Sequence, residues 1–184
     1  KFFETTRTGM APGVKVAAIL IDLDRFKTVN DHHGHSVGDQ VIKAVADRLS
    51  NLLHKDETII RMGGDEFVVL LPGLSKPEDA GLVANRINRL LSEPLSLHET
   101  SVVISSSIGI SVCPDNATDS QTLLRQADGA MYDAKQHGRD CHRFFTPEIQ
   151  ARAYSRLTME IRIRQALDKQ EFLLHFQPKI ALSD

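Results

Sequence analysis

The spacing of apolar positions changes from one segment of the chain to the next, and each spacing predicts a different element. Residues Val16 to Leu23 read VAAILIDL, a short and nearly continuous apolar run that is typical of a strand buried on both faces. The segment from Ser36 to Leu53 predicts an amphipathic helix, because its apolar residues recur at every fourth position. These residues are Val37, Val41, Val45 and Leu49.

Two β-rich runs with glycines between them predict a hairpin. The runs are Thr58 to Ile60 and Phe67 to Leu71, and the connection between them contains Gly63 and Gly64. Glycine adopts the backbone conformations that a tight turn needs and that other residues avoid. We therefore expect the two runs to pair as antiparallel strands.

Three longer segments follow the hairpin. Pro77 to Leu91 predicts a helix, with a proline suited to its first turn. Val102 to Val112 predicts one long strand. Ser120 to His137 predicts a helix that ends where Gly138 follows it. A final strand is expected before Phe145.

The predicted order is strand, helix, hairpin, helix, strand, helix and strand, which indicates an α/β (α+β) fold with a central mixed sheet flanked by helices. The pattern changes after Phe145: Pro147 to Lys169 predicts a long charged helix, and Phe172 to Phe176 is strand-like. The expected organisation is a first domain over 1–146, a linker helix over 147–170 and the truncated start of another domain over 171–184.

Composition narrows the class of protein without identifying it. Of 184 residues, 41% are hydrophobic and 25% are charged, which is typical of a globular protein, and the net charge of −2 gives no reason to expect nucleic-acid binding. Two cysteines do not suggest a disulfide framework, so we expect a reducing, cytoplasmic setting. No apolar run approaches the roughly 20 residues of a membrane helix, so we expect no membrane contact by this fragment. We interpret the chain as a piece of a longer protein, which could itself be anchored in a membrane.

Acidic residues stand at two of the predicted turns. Asp22 and Asp24 close the first strand, and Asp65 follows the glycines of the hairpin. Mg²⁺ binds carboxylate oxygens and commonly shares them with substrate phosphates. Asp22 and Asp65 meet if their strands are neighbours, and Lys27 adds a compact positive charge for a polyphosphate. Either group alone is also ordinary turn chemistry, but the two together predict a metal-dependent nucleotide site.

Several ordered motifs resemble the signatures of the GGDEF family of diguanylate cyclases. They are DLDRFKTVNDHHGHSVGD, RMGGDEF, SSIGISV and ADGAMYDAKQHGRD. The resemblance covers Val16 to Phe145 and implies a fold like the palm of nucleotide cyclases and polymerases. It also implies condensation of two GTP into cyclic di-GMP, with release of pyrophosphate, in bacterial second-messenger signalling. The tail, LDKQEFLLHFQPKIALSD, resembles the opening of an EAL domain, a family that hydrolyses cyclic di-GMP.

The resemblance also implies roles for the residues around the two turns. Asp22, Asp65 and the backbone carbonyl of Leu23 would bind Mg²⁺, with Mn²⁺ as an alternative. Asp65 would promote deprotonation of the attacking 3′-hydroxyl, and Lys27 would stabilise charge on the phosphates in the transition state. Glu66 would support these catalytic residues.

A second set of residues would bind GTP. The resemblance implies that Asn30 and Asp39 read the guanine edge and that Lys135 and Arg139 hold the terminal phosphates. Lys135 and Arg139 are four residues apart, so they would share one face of the predicted helix if that helix continues past Gly138. The remaining substrate-binding residues are His35 and Gly64.

The resemblance leaves two functions open. The first is an active cyclase, which would work as a homodimer because each domain holds one GTP. The alternative is a catalytically silent GTP-binding domain that controls a neighbouring EAL phosphodiesterase. The intact GGDEF motif, with Lys27, Asn30 and Asp39 present, favours the cyclase.

Three clustered histidines allow a separate interpretation. His32, His33 and His35 form an HHxH pattern that could bind a soft metal. A solvated loop with a glycine turn also accounts for them, because Gly34-His35 already belongs to the family signature. We expect the loop.

Overall fold

The structure is a computed structural model that describes residues 14–97, 100–175 and 177. Within these residues a strand and two helices come first, followed by a hairpin and then by alternating helices and strands. In chain order the elements are β1 (Lys15–Leu23), α1 (Phe26–His33), α2 (His35–Leu52), β2 (Thr58–Gly63), β3 (Glu66–Leu74), α3 (Pro77–Leu91), β4 (Leu95–Leu97), β5 (Thr100–Val102), β6 (Ser106–Cys113), α4 (Ser120–Gln136), β7 (Cys141–Phe144) and α5 (Pro147–Asp168).

The main sheet has five strands in the order β2-β3-β1-β6-β7. Strand β1 pairs antiparallel with β3 on one side and with β6 on the other, and β7 joins β6 in parallel. Strands β4 and β5 form a separate two-stranded ribbon. The predicted mixed sheet flanked by helices is therefore confirmed.

Strand β1 is buried on both faces, and its residues alternate between two apolar clusters. Odd-numbered residues pack in the cluster that includes residues of α2 and α3, whereas even-numbered residues pack in the cluster that includes residues of α4. The odd-numbered set is Ala17, Ile19, Ile21 and Leu23, and the even-numbered set is Val16, Ala18 and Leu20. Helices therefore cover the central strand on both sides, as its continuous apolar run predicts.

Helix α4 lies unusually close to the sheet at Gly109 of β6. A Cβ atom at this position would come 1.9 Å from the carbonyl oxygen of Ala127 and 2.3 Å from the backbone nitrogen of Met131. Both atoms belong to the backbone of α4, so a side-chain rotation cannot relieve the contact. The absent side chain of Gly109 is what lets α4 approach β6.

Most predicted elements are confirmed, and three corrections concern the segments between them. A helix, α1, occupies Phe26–His33, so His32 and His33 are helical and not in the expected loop. The expected long strand over 102–112 is divided, because 103–105 belong to neither β5 nor β6. Helix α4 ends at Gln136, so helical geometry does not continue past Gly138 as the spacing of Lys135 and Arg139 required.

The chain divides into two compact units, residues 1–150 and residues 151–184. Helix α5 confirms the predicted long helix, but 171–175 carry no secondary structure, so the expected strand is absent there. Phe176 and residues 178–184 of the predicted EAL-like segment lie outside the described residues. Among the described helices, none combines the length and the apolar character needed to cross a membrane.

The close approach at Gly109 makes a stability prediction. We expect Gly109→Ala to lower the free energy of unfolding by roughly 1–3 kcal/mol or more, because inserting a carbon into a packed contact forces the backbone to move. Urea denaturation of the purified protein measures this loss.

Gly129→Ala is the matched control, because Gly129 lies within α4 and an added Cβ would meet nothing within 4 Å. Replacing a glycine inside a helix by alanine should stabilise the protein by roughly 0.5–1 kcal/mol. Equal effects of the two substitutions would contradict the packing interpretation.

Candidate functional site

The end of β1 and the beginning of β3 bring the predicted acidic residues together. Asp22 is the register partner of Glu66, and the backbone N–H of Leu23 donates to the carbonyl oxygen of Asp65 over 3.2 Å. Directly opposed residues of an antiparallel pair share a face of the sheet. The structure therefore places Asp22 and Glu66 on one face, with Asp65 at the adjoining turn.

Strand alternation also determines which helix Asp22 meets. As an even-numbered residue of β1, it belongs to the face that α4 covers. Lys135, in the last turn of α4, places its Nζ 2.6 Å from Oδ2 of Asp22. A residue assigned to the terminal phosphates thus forms an ion pair with a residue assigned to the metal.

The surroundings of Asp22 act on its pKa in opposite directions. Burial raises the pKa of this carboxyl group, the hydrogen bond and the charge of Lys135 lower it, and the negative charges of Asp65 and Glu66 raise it further. The net result is a raised pKa. Burial is the largest cause of this raised pKa, and the carboxylates of Asp65 and Glu66 add to it from nearby.

These donors fit a hard divalent cation. Asp22 and Asp65 carry carboxylate oxygens and Leu23 a backbone carbonyl that would hold such a cation, and the nearby Glu66 carries a further negative charge. No three acidic, histidine or cysteine side chains form a metal cage within the described part of the chain. Mg²⁺ does not need one, since it is usually held by one or two carboxylates together with substrate phosphates.

The turn between β2 and β3 is held by an arginine that has no role in the sequence analysis. Gly64 has a φ of 52°, in the left-handed region that glycine adopts readily. Its carbonyl oxygen accepts hydrogen bonds from Arg61, at 3.1 Å from Nε and at 2.7 Å from a terminal guanidinium nitrogen. Arg61 therefore closes the turn that presents Asp65.

Helices α1 and α2 carry the residues assigned to the guanine base. Asn30 lies in α1, and its side chain passes directly over Gly38 of α2, where a Cβ would come 1.8 Å from the Asn30 Oδ1. Asp39 follows Gly38 and is exposed. Gly38 belongs to the motif DLDRFKTVNDHHGHSVGD, and its missing side chain leaves room for Asn30.

The other residues of this region lie at helix ends. Lys27 is exposed in the first turn of α1, and His35 is the exposed first residue of α2. No side chain caps the start of α1. The first N–H groups of a helix, when they lack a side-chain cap, are a favourable place for a phosphate.

Arg139 lies outside α4, in a turn where it has a φ of 64°. Its Nε is 3.9 Å from Oδ1 of Asp24. Lys135 reaches the end of β1 from a helix, whereas Arg139 reaches it from a left-handed turn. Each of them meets a different aspartate. The sequence analysis assigns Asp22 to the metal and gives Asp24 no role, and the structure gives the two aspartates different partners.

Two serines of the β6 segment also contact this region, and the sequence did not identify them. Ser105 and Ser107 both donate hydrogen bonds to Asp24. The available signal was three consecutive serines in an otherwise apolar run, because buried hydroxyl groups need acceptors.

Comparisons with known proteins show which family this chain is similar to. The family model described as "Diguanylate cyclase, GGDEF domain" matches residues 4–141. A bifunctional diguanylate cyclase/cyclic di-GMP phosphodiesterase, MucR of Pseudomonas aeruginosa, is 39% identical over 166 residues, which are 90% of this chain and 24% of MucR. The cyclic di-GMP phosphodiesterase PdeR of Escherichia coli is also 39% identical, over 90% of this chain and 25% of PdeR.

A solved structure is similar as well. The GGDEF domain of TpbB from Pseudomonas aeruginosa superposes with a TM-score of 0.78 at 34% identity, covering 83% of this chain and 92% of that domain. TpbB is named a diguanylate cyclase. This chain spans about a quarter of the length of MucR and of PdeR. The family match over most of the chain and the shared fold establish that the chain belongs to the GGDEF domain family.

Proposed function

We propose that this domain is a diguanylate cyclase, which joins two GTP molecules into cyclic di-GMP and releases pyrophosphate. The observation that supports it most directly is the junction of β1 and β3, where Asp22 lies opposite Glu66 and Leu23 is hydrogen-bonded to Asp65. This junction brings together the acidic groups that a polyphosphate reaction with a divalent cation requires. The experiment that tests it is incubation with GTP and Mg²⁺ followed by chromatographic detection of cyclic di-GMP.

In this proposal the protein's share of the cation site is Asp22, Asp65 and the carbonyl of Leu23. Mg²⁺, or Mn²⁺ in its place, would there neutralise phosphate charge and favour the ionised form of the attacking hydroxyl. Lys135 neutralises Asp22 in this structure. It would be available for a terminal phosphate if a divalent cation took its place beside Asp22.

The remaining residues orient GTP and assist proton removal. Asp65 promotes loss of the proton from the 3′-hydroxyl, and Glu66 supports it through its negative charge. Lys27 and Arg139 contribute positive charge to the phosphates. Positioning and charge stabilisation of this kind account for most of the catalysis in phosphoryl transfer.

Guanine selectivity comes from the contact region of α1 and α2. The Asn30 amide and the Asp39 carboxylate offer hydrogen-bonding groups to the base edge. A carboxylate accepts from the N1 and N2 protons of guanine, which adenine lacks. His35 and Gly64 complete the proposed substrate contacts.

A silent GTP-binding domain is the second candidate, and the relatives give a specific reason to keep it. PdeR is named a phosphodiesterase, and it contains a region similar to most of this chain. A region of this kind thus occurs in a protein that is named for the opposite activity. A domain of this kind would bind GTP and act on a neighbouring EAL domain. The two candidates share GTP binding and differ in whether cyclic di-GMP is formed.

Asp65→Asn tests the assigned catalytic acid. The amide preserves the shape of the side chain but lacks the charge, so we expect cyclic di-GMP formation to fall at least about 100-fold while the fold is retained. Circular dichroism checks the fold, and product chromatography measures the rate. Asp47→Asn, an exposed residue of α2, makes the same charge change away from the site and should retain activity. Wild-type activity in Asp65→Asn would show that the wrong residue has been assigned.

Gly38→Ala tests the assigned guanine contacts. The added methyl group would collide with the Asn30 side chain and displace it. An unpaired polar group in the site costs roughly 1–3 kcal/mol, so the preference for GTP over ATP should fall by about tenfold or more. Calorimetry with non-reactive analogues of the two nucleotides measures it, with Gly129→Ala as the control. Equal affinities for GTP and ATP in the unsubstituted protein would contradict the guanine assignment itself.

Dilution tests the requirement for two domains. Each domain holds one GTP, so the rate per domain should rise with protein concentration as the paired fraction rises by mass action. A fused dimeric coiled coil should raise the rate at low concentration through effective concentration alone. The measurement is cyclic di-GMP formed per domain across about a hundredfold dilution, with and without the fusion. A measurable rate that stays constant on dilution, in a sample that light scattering identifies as monomeric, would refute the paired mechanism.

A further inference from the structure

Asp24 is a buried carboxylate whose two oxygens are both engaged by the protein. It is 6% exposed, and Oδ1 accepts a hydrogen bond from the hydroxyl of Ser107 at 2.6 Å. Its Oδ2 accepts from the hydroxyl of Ser105 at 2.7 Å and from the backbone N–H of Asp140 at 3.1 Å. A buried charge is costly unless it is hydrogen-bonded, so these donors and Asp24 hold one another in place.

The Asp140 contact reaches a turn that its own sequence does not favour. Gly138, Arg139 and Asp140 have φ values of 104°, 64° and 46°, so three consecutive residues are left-handed. Only the first is a glycine, and residues with a Cβ adopt this region at a cost. The turn therefore depends on external contacts to stay in this conformation.

Two of those contacts are hydrogen bonds donated by backbone N–H groups, and the hydroxyl of Ser92 donates another to Oδ1 of Asp140 at 3.4 Å. The N–H of Arg139 donates to the carbonyl oxygen of Ala134 at 3.1 Å, which ties the turn to α4. The N–H of Asp140 donates to Asp24, which ties the turn to the end of β1. Through Ser105 and Ser107 the same carboxylate joins the turn to the β6 segment.

The side chain of Arg139 stays accessible beside this anchor. Its Nε lies 3.9 Å from Oδ1 of Asp24, and 45% of the side chain is exposed. Both residues border a cleft of about 350 Å³ whose other walls include the start of α1 and residues 103–105. The guanidinium group is therefore restrained in direction but still free to bind an anion.

We infer that Asp24 is a positioning residue, which holds the left-handed turn 138–140 through the Asp140 N–H and so directs Arg139 at the terminal phosphates of GTP. This inference rests on the proposed function, because it takes GTP as the anion that Arg139 meets. It gives a task to Asp24, which has none in the sequence analysis. Asp22 belongs to the cation site, whereas Asp24 acts through Arg139 and contacts neither metal nor substrate.

The first measurement tests the anchor without nucleotide. Asp24→Asn keeps the size of the side chain but replaces one acceptor oxygen by an NH₂ donor. We expect hydrogen exchange at the Asp140 amide to become about tenfold faster or more, because its charge-assisted hydrogen bond weakens. Ser105→Ala and Ser107→Ala retain the carboxylate and should produce smaller increases in this exchange rate. These two variants test the anchor if Asp24→Asn fails to fold. Ser96→Ala, an exposed residue of β4, is the control. Native-like protection of the Asp140 amide in all three variants would overturn the anchor.

The second measurement tests the direction of Arg139. Calorimetry with Mg²⁺ compares a GTP analogue carrying a methylene bridge between the α- and β-phosphates with GMP, which lacks the terminal phosphates. We expect Asp24→Asn to weaken binding of the analogue about tenfold and to leave GMP affinity nearly unchanged, because only the analogue reaches Arg139. A general loss of folding would weaken both ligands alike. Equal losses, or no loss for the analogue, would overturn the positioning role.

A double-mutant cycle tests whether Asp24 affects phosphate binding through Arg139. If Asp24 acts through Arg139, Asp24→Asn combined with Arg139→Ala should weaken the analogue no further than Arg139→Ala alone. Additive losses would overturn the inference. Failure of the unsubstituted protein to bind the analogue more tightly than GMP would overturn the proposed function and with it the role of Arg139. The exchange rate of the Asp140 amide would still decide the anchor in that case.

Discussion

The alternation of side chains along β1 is the constraint on which the candidate site depends. Because both faces of this strand are covered, its odd-numbered residues pack with α2 and α3 and its even-numbered residues pack with α4. Asp22 is even-numbered and therefore falls beneath the end of α4, where Lys135 meets it. A shift of one residue in register would move this carboxylate to the opposite face, among the side chains of α2 and α3. The apolar pattern of the strand thus fixes the face on which Asp22 lies.

The same constraint extends across the sheet. Cross-strand partners share a face, so Glu66 of β3 and Ser107 of β6 lie on the α4 side together with Asp22. Gly109 follows two residues after Ser107 and allows α4 to lie close against that side. The closeness of the helix is what brings Lys135 and the turn after it to the two aspartates. Packing of the core and geometry of the site are therefore one arrangement, and a change at Gly109 acts on both.

The sequence predicted those parts of the fold that carry long periodic patterns. Helices α2, α3 and α4 and the β2–β3 hairpin were found because each has a continuous apolar stripe or an unmistakable turn. Helix α1 was missed because FKTVNDHH is short, largely polar and contains no buried residue. The strand over 102–112 appeared continuous because Val103 is apolar, although 65% of it is exposed in the break between β5 and β6. Apolar character does not reveal where a chain leaves a sheet.

The sequence predicts which residues of the candidate site lie close together, but not which partner each of them has. The pairing of Asp22 with the hairpin required only that two strands be neighbours, which the topology confirms. The different partners of Asp22 and Asp24 could not be predicted, because both residues precede a turn and differ only in what approaches them from distant parts of the chain. The same applies to Gly38, whose importance depends on Asn30 crossing it from another helix. Spacing along a chain identifies which residues can share a site, but long-range packing assigns their tasks.

These considerations bear on the difference between a cyclase and a silent GTP-binding domain. The proposed contacts to one GTP all come from a single domain: α1 and α2 for the base, and Lys27, Lys135 and Arg139 for the phosphates. Bond formation needs a second GTP, which the proposal supplies from a second domain. In this proposal, binding is a property of the single domain, whereas turnover is a property of the pair. A domain could lose turnover through its pairing surface alone and keep every residue of the motif, so an intact motif favours GTP binding more strongly than it favours catalysis.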